Sequence, residues 1–217
     1  MEMLVEEIMN TSVPTLTPTH TINDALLLLK AKRIRHIPII NANKEILGVV
    51  TDRDLKKATP STLLNSNNPE VYELPLEKIM TKNPIVGHPL DFLEETATIF
   101  YDNRIGCLPI VSQGKLVGMI TESDLLYKFI ELTGAHQPGS QIEVRVPNKT
   151  GVLFEVSKVF YEQKVNVLSV LVYPDKANED YKILVLRVKT MNPLKLIEAL
   201  RADDFEVLWP NHPGKIL

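Results

Sequence analysis

Gly48-Val49-Val50-Thr51-Asp52-Arg53-Asp54-Leu55 and Gly118-Met119-Ile120-Thr121-Glu122-Ser123-Asp124-Leu125 spell one pattern twice: glycine, two apolar residues, threonine, two polar residues, aspartate, leucine. The apolar run suits a buried strand, and a threonine followed three residues later by an acid suits the start of a helix. Each stretch is therefore read as a strand turning into a helix. Outward from them the likeness continues. Ile8-Met9 returns as Ile79-Met80, Pro18 as Pro89, Arg33-Ile34 as Arg104-Ile105 and Pro38-Ile39 as Pro109-Ile110, every pair 71 positions apart. One residue deleted in a turn shortens the spacing to 70 for Gly48, Thr51, Asp54 and Leu55. A chain with such a period is a tandem repeat.

Each copy reads as an extended piece with proline, an amphipathic helix (22–34, then 92–105), two short strands (37–40 and 46–50, then 108–111 and 116–120) and a last helix opening at Thr51 or Thr121. Thr21 with Asp24, and Asp91 with Glu94, are expected to cap the first helix of each copy. Copy one is assigned to 1–58 and copy two to 76–133, with a Ser/Thr/Asn/Pro-rich linker over 59–75 and a Gly/Pro-bearing break over 134–140. The segment 141–212 has another rhythm. Strands over 141–146, 165–173, 181–189 and 205–209 alternate with helices over 151–163 and 192–201 in the order β-α-β-β-α-β, which suggests a ferredoxin-like sandwich. The fold class is mixed α+β and α/β.

Composition excludes several function classes. A formal charge of -3 is the wrong sign for a general nucleic-acid binder. The single cysteine, Cys107, allows neither an internal disulfide nor a cysteine-rich zinc site, and it is read as a small core residue. No basic-then-apolar leader opens the chain and its aliphatic runs are too short to span a bilayer, so a cytoplasmic protein without membrane contact is expected. Five scattered histidines suggest no metal site, and no nucleophile–base set, phosphate-cradling glycine loop or carboxylate pair emerges. A non-enzyme is expected.

The doubled Gly-apolar-apolar-Thr-x-x-Asp pattern, with Ile37-Pro38-Ile39 and Leu108-Pro109-Ile110 before it, resembles a tandem pair of CBS domains. Val146-Pro147-Asn148-Lys149-Thr150-Gly151-Val152-Leu153 and Val165-Asn166-Val167 resemble an ACT domain, with Thr150 where that family usually has proline. The combined architecture is similar to the AcuB family of acetoin-utilization proteins. The resemblance implies β-α-β-β-α repeats followed by a βαββαβ domain. It also implies a homodimeric regulator that senses AMP, ATP or S-adenosylmethionine between its repeats and acts on a metabolic enzyme, in acetoin or acetyl-CoA metabolism. For the ACT domain it implies an effector loop of Asn148, Thr150, Gly151, Val152, Leu153 and Asn166, and a role in dimerisation.

The candidate ligand residues are Thr51, Asp54, Thr121 and Asp124, with Arg33, Arg35 and His36. One carboxylate accepts hydrogen bonds from both hydroxyls of a ribose, and the amides of a helix start suit phosphate. The same Thr-x-x-Asp is also a capping box; the choice of aspartate over the longer glutamate is taken to favour a ligand. Arg35 and His36 offer charge to a phosphate, whereas Lys30 and Lys32 are read as complementing a helix C-terminus. At the matching places copy two has Gly106 and Cys107. The pseudo-symmetry of a CBS pair then implies that a ligand on Asp124 faces Arg35 and His36, and that one on Asp54 faces Gly106 and Cys107. The Asp124 cleft is therefore expected to take the more anionic ligand. Two other readings stay open: a dimerisation module with empty clefts, and an amino-acid sensor working through the second domain, whose loop residues can equally be turn and cap positions.

Overall fold

A computed structural model describes residues 3–59 and 69–210 of the 217. Residues 60–68 of the expected linker, and 211–212 of the expected last domain, lie outside the described residues. The chain divides into two compact units, Met1–Leu126 and Tyr127–Leu217.

In the first unit α1 (Ile22–Lys32) opens with a complete capping box. The Asp24 N–H donates to the Thr21 hydroxyl and the Thr21 N–H donates to the Asp24 carboxylate. The helix stops at Arg33, whose φ of 53° is left-handed. A hairpin follows, β1 (His36–Ile40) against β2 (Ile46–Thr51), and β2 runs into α2 (Asp52–Ala58) at Thr51. After β3 (Thr81–Lys82), copy two repeats the scheme with α3 (Leu93–Asn103), β4 (Cys107–Ser112), β5 (Lys115–Thr121) and α4 (Glu122–Leu132), whose residues from Tyr127 on are counted with the second unit. One expected cap is absent. The 71-residue period puts Phe92 where copy one has Thr21, so α3 starts at a residue with no side-chain acceptor. The Asp91 carboxylate instead accepts the N–H of His88, at 2.6 Å.

The leading extended segments are exchanged between the copies. β3, which opens copy two, pairs with β2 of copy one through Gly48↔Lys82 and Val49↔Thr81. Asn10, which opens copy one, bridges to Met119 of β5. Buried Leu76 joins Ile22, Ala25, Leu29, Ile37, Ile39, Val50 and Leu55 in the first core. Buried Val5 joins Leu93, Phe100, Leu108, Ile110 and Ile120 in the second. The repeated glycines make the exchange possible: a Cβ on Gly48 would stand 2.8 Å from the Met80 sulfur, and one on Gly118 2.6 Å from the Met9 sulfur. Val49, Cys107 and Met119, with Val13 beside them, form a small cluster drawn from both copies.

The second unit holds β6 (Ser140–Pro147), α5 (Val152–Glu162), β7 (Val167–Pro174), β8 (Tyr181–Val188), α6 (Leu194–Ala202) and β9 (Glu206–Trp209). This is the expected βαββαβ order, and its sheet is antiparallel in the order β7-β8-β6-β9. Val152, Val156, Val159 and Phe160 of α5, spaced to share one helix face, pack with Leu196, Ile197 and Leu200 of α6 onto Ile142, Val144, Val146, Leu184, Leu186 and Val188. Gly151 caps α5 at a φ of 86°, a conformation that favours glycine.

Candidate functional site

Three helices begin with the same hydrogen-bonded ring. At Thr51 the hydroxyl and the backbone N–H both donate to Asp54 Oδ2, at 2.6 and 2.9 Å, while the Asp54 N–H donates back to the Thr51 hydroxyl at 3.2 Å. Thr121 and Asp124 close the same ring, with both donations to Oδ2 at 2.7 Å. Thr21 and Asp24 do so as well. Aspartate thus completes a capping box as readily as glutamate does, and its presence does not by itself distinguish a ligand site from a cap. The three pairs differ in their place in the fold. Thr51 and Asp54 line one cavity and Thr121 and Asp124 a second, whereas Thr21 and Asp24 line neither.

The larger cavity, about 650 Å³, has Thr51 and Asp54 on one side and Gly106 and Cys107 on another. The smaller, about 250 Å³, joins Thr121 and Asp124 to Arg33, Arg35 and His36. Both expected juxtapositions are therefore present, but Arg35 and His36 line the larger cavity too. By formal charge the two linings are alike, because the larger sets its cations beside Asp52, Asp54 and Glu122 and the smaller sets Arg33 and Arg35 beside Asp124; they differ in how many cations each offers. The larger cavity carries Arg35, Arg53, Lys57 and Arg104, and no ion pair among the described residues involves any of the four. At Arg53 and Lys57 copy two has Ser123 and Tyr127, so the smaller cavity lacks those cations. A volume of 650 Å³ falls within the roughly 300–1,000 Å³ usual for small-molecule pockets, and 250 Å³ falls just under it.

His36 opens β1 beside Gly106, where an added Cβ would stand 3.0 Å from His36 Nε2. Burial, then the adjacent Arg35, holds the His36 pKa below its ordinary value, while Glu122 and Asp54 pull it upward. The Cys107 thiol is pushed up to about 12 by burial, which leaves it protonated and inert near neutral pH.

Sequence reasoning did not single out Arg53 and Lys57 of α2, which line the larger cavity. It also missed Asn10 in the smaller cavity and Thr81, Asn83, Pro84 and Ile85 in the larger. These come from the exchanged leading segments, so their only signal was the repeated Ile-Met just before them. Around the ACT-like loop, the Asn148 N–H donates to the Asp180 carbonyl at 2.7 Å. Thr150, Gly151, Leu153 and Asn166 are exposed, whereas Val152 is buried in the helix–sheet core and turned away from any loop ligand. None of the six lines either cavity.

The CBS domain model matches residues 5–61 and 76–131. The chain belongs to the CBS domain family. An ACT domain matches 140–205, so this is a tandem CBS pair with a C-terminal ACT domain. A CBS domain-containing protein of Dictyostelium discoideum is 34% identical over 145 residues, 64% of this chain and 100% of that protein. A Vibrio cholerae protein assigned to acetoin utilization (AcuB) has a crystal structure matching with a TM-score of 0.54 and 37% identity, over 64% of this chain and 100% of that one. The AMP complex of CBSX2, a CBS-pair protein of Arabidopsis thaliana, matches at 0.51 and 27% identity, over 58% and 96%. A CBS pair in complex with 5′-methylthioadenosine and S-adenosyl-L-methionine matches at 0.51 and 26%, over 62% and 98%. Enzyme matches are partial: a homoserine O-acetyltransferase of Methanococcus vannielii is 32% identical over 57% of this chain but only 24% of the enzyme. Among the described residues no helix is long and apolar enough to cross a membrane.

Proposed function

We propose that the CBS pair binds an adenosyl ligand (AMP, ATP or S-adenosylmethionine) and that the chain is a non-catalytic, homodimeric regulator of a metabolic enzyme, in acetoin or acetyl-CoA metabolism. The carrying observation is that, of three chemically identical Thr-x-x-Asp caps, the two in the repeated motif line cavities and the third does not. In both, the cap uses only Oδ2 of the aspartate. Oδ1 takes no hydrogen bond among the described residues and is available to ribose hydroxyls. The four cations of the larger cavity, which form no ion pair among the described residues, are groups a phosphate can engage beside the carboxylates Asp52, Asp54 and Glu122. Adenosyl ligands in the related CBS pairs support the same ligand class. The likeness to the AcuB structure supports the metabolic assignment. Dimerisation is read directly by light scattering at micromolar concentration, where a monomer overturns that part.

Thermal unfolding tests the ligand. Saturation at a hundredfold excess over Kd stabilises by about 2.7 kcal/mol, or roughly 5–10 °C for a chain of this size. The double variant Asp54→Ala, Asp124→Ala should lose that shift. Asp24→Ala removes the same kind of cap away from the cavities, so it should lower the melting temperature yet keep the shift. No shift with AMP, ATP or S-adenosylmethionine at millimolar concentration overturns the proposal and leaves a dimerisation module with empty clefts.

A further inference from the structure

Arg35 lines both cavities, and it does so alone of the arginines. The two helix-ending arginines are divided evenly: Arg33 lines the smaller cleft and Arg104, its counterpart 71 positions on, the larger. The counterpart of Arg35 is Gly106, which offers no side chain, and a Cβ there would already crowd His36 Nε2 at 3.0 Å. The pair therefore has one guanidinium where a symmetric repeat would have two. In the structure its Nη2 donates to the Ser123 hydroxyl, at 3.4 Å, and Ser123 belongs to the smaller cleft only.

The clefts need Arg35 unequally. The larger has Arg53, Lys57 and Arg104 of its own, among the carboxylates Asp52, Asp54 and Glu122, whereas the smaller has Arg33 as its one other cation, beside Asp124, so a phosphate in the smaller has fewer groups to replace Arg35. A guanidinium engages one phosphate at a time in its two-pronged geometry.

We infer that Arg35 is a shared element that makes the two clefts antagonistic toward anionic ligands: a phosphate bound in the larger cleft draws the guanidinium away and weakens anion binding in the smaller. This rests on the adenosyl-ligand reading above. The antagonism is specific to charge. An uncharged adenosyl ligand, anchored through the same aspartates, fills the second cleft without penalty.

The test is calorimetric titration of the full chain with AMP and with adenosine. Asp54→Ala removes the ribose anchor of the larger cleft, so it reports the smaller cleft with its neighbour empty; Asp54→Asn repeats the comparison with a cap acceptor retained. AMP should bind the smaller cleft of these variants roughly tenfold or more tighter than in the second step of the parent chain. With adenosine the two values should agree within about twofold. In an Arg35→Ala background, an exposed position, the AMP difference should vanish. AMP binding to both clefts with equal affinity in the two contexts, or a difference that adenosine shares or that survives Arg35→Ala, overturns the shared-arginine inference alone. If neither ligand binds anywhere, the adenosyl-ligand reading falls first and the inference with it.

Discussion

His36 stands at a position where the two copies differ: copy two has Cys107 there, and Gly106 leaves the space the imidazole needs. Burial and Arg35 depress the pKa of His36 in the folded chain, against the opposing pull of Glu122 and Asp54. As pH falls, the unfolded chain therefore takes up this proton first, near its reference value of about 6.5. Stability linked to His36 is intact above that pH and is lost progressively below it. Denaturant unfolding from about pH 7.5 to about 5.5 should show His36→Asn losing less stability than the parent chain, whereas parallel profiles would mean that the ring titrates alike in both states.

At the scale of elements, the α-helices among the described residues differ in how they begin. α1 and α2 have full capping boxes, α3 begins at Phe92 with none, and the threonine ahead of α4 closes the same ring as in α2. Phe92 is 55% exposed, so its side chain contributes little to the core. Phe92→Ser would supply the missing acceptor, and Glu95, three residues on, would complete the box. This change should stabilise the chain by about 1 kcal/mol in urea unfolding. An unchanged midpoint would show that the 3.0 Å bond from the Thr96 N–H to the Phe92 carbonyl already holds that turn. The misplaced cap is instructive. Asp91 carries the right chemistry one residue early, and only the 71-residue register excludes it from the helix start.

For the whole CBS unit, the main consequence of the fold is that each copy is completed by residues that precede the other. Leu76 stands in the copy-one core and Val5 in the copy-two core, both fully buried. Leu76→Ala should therefore cost about 2–5 kcal/mol and Val5→Ala about 1–3 kcal/mol in equilibrium unfolding. Native-state hydrogen exchange separates the two. Val5→Ala should speed exchange at Leu108 and Ile110 before Ile37 and Ile39, and Leu76→Ala the reverse. The opposite pattern would mean that each segment supports its own copy.

The features legible in the amino-acid order are those held together within a few residues. The caps at Thr21, Thr51 and Thr121, the two hairpins, the apolar stripe of α5 and the βαββαβ succession each arise from bonds and packing between near neighbours, so local pattern suffices for them. Asp54, Asp124, Arg33, Arg35 and His36 were visible for the same reason, whereas Arg53, Lys57 and Arg104 were not assigned to a cleft. Which of them meet followed only from the CBS resemblance, because local pattern does not say it. Ile8-Met9 and Ile79-Met80 are the same dipeptide, equally able to pack against Gly48 or Gly118, and no local interaction says which copy each will enter. The choice lies in long-range packing, with Met80 against Gly48, Met9 against Gly118, and Val49, Cys107 and Met119 closing the gap between them. That packing carries Asn83 to Asp54 and Asn10 to Asp124, and it leaves the single guanidinium of Arg35 facing both clefts.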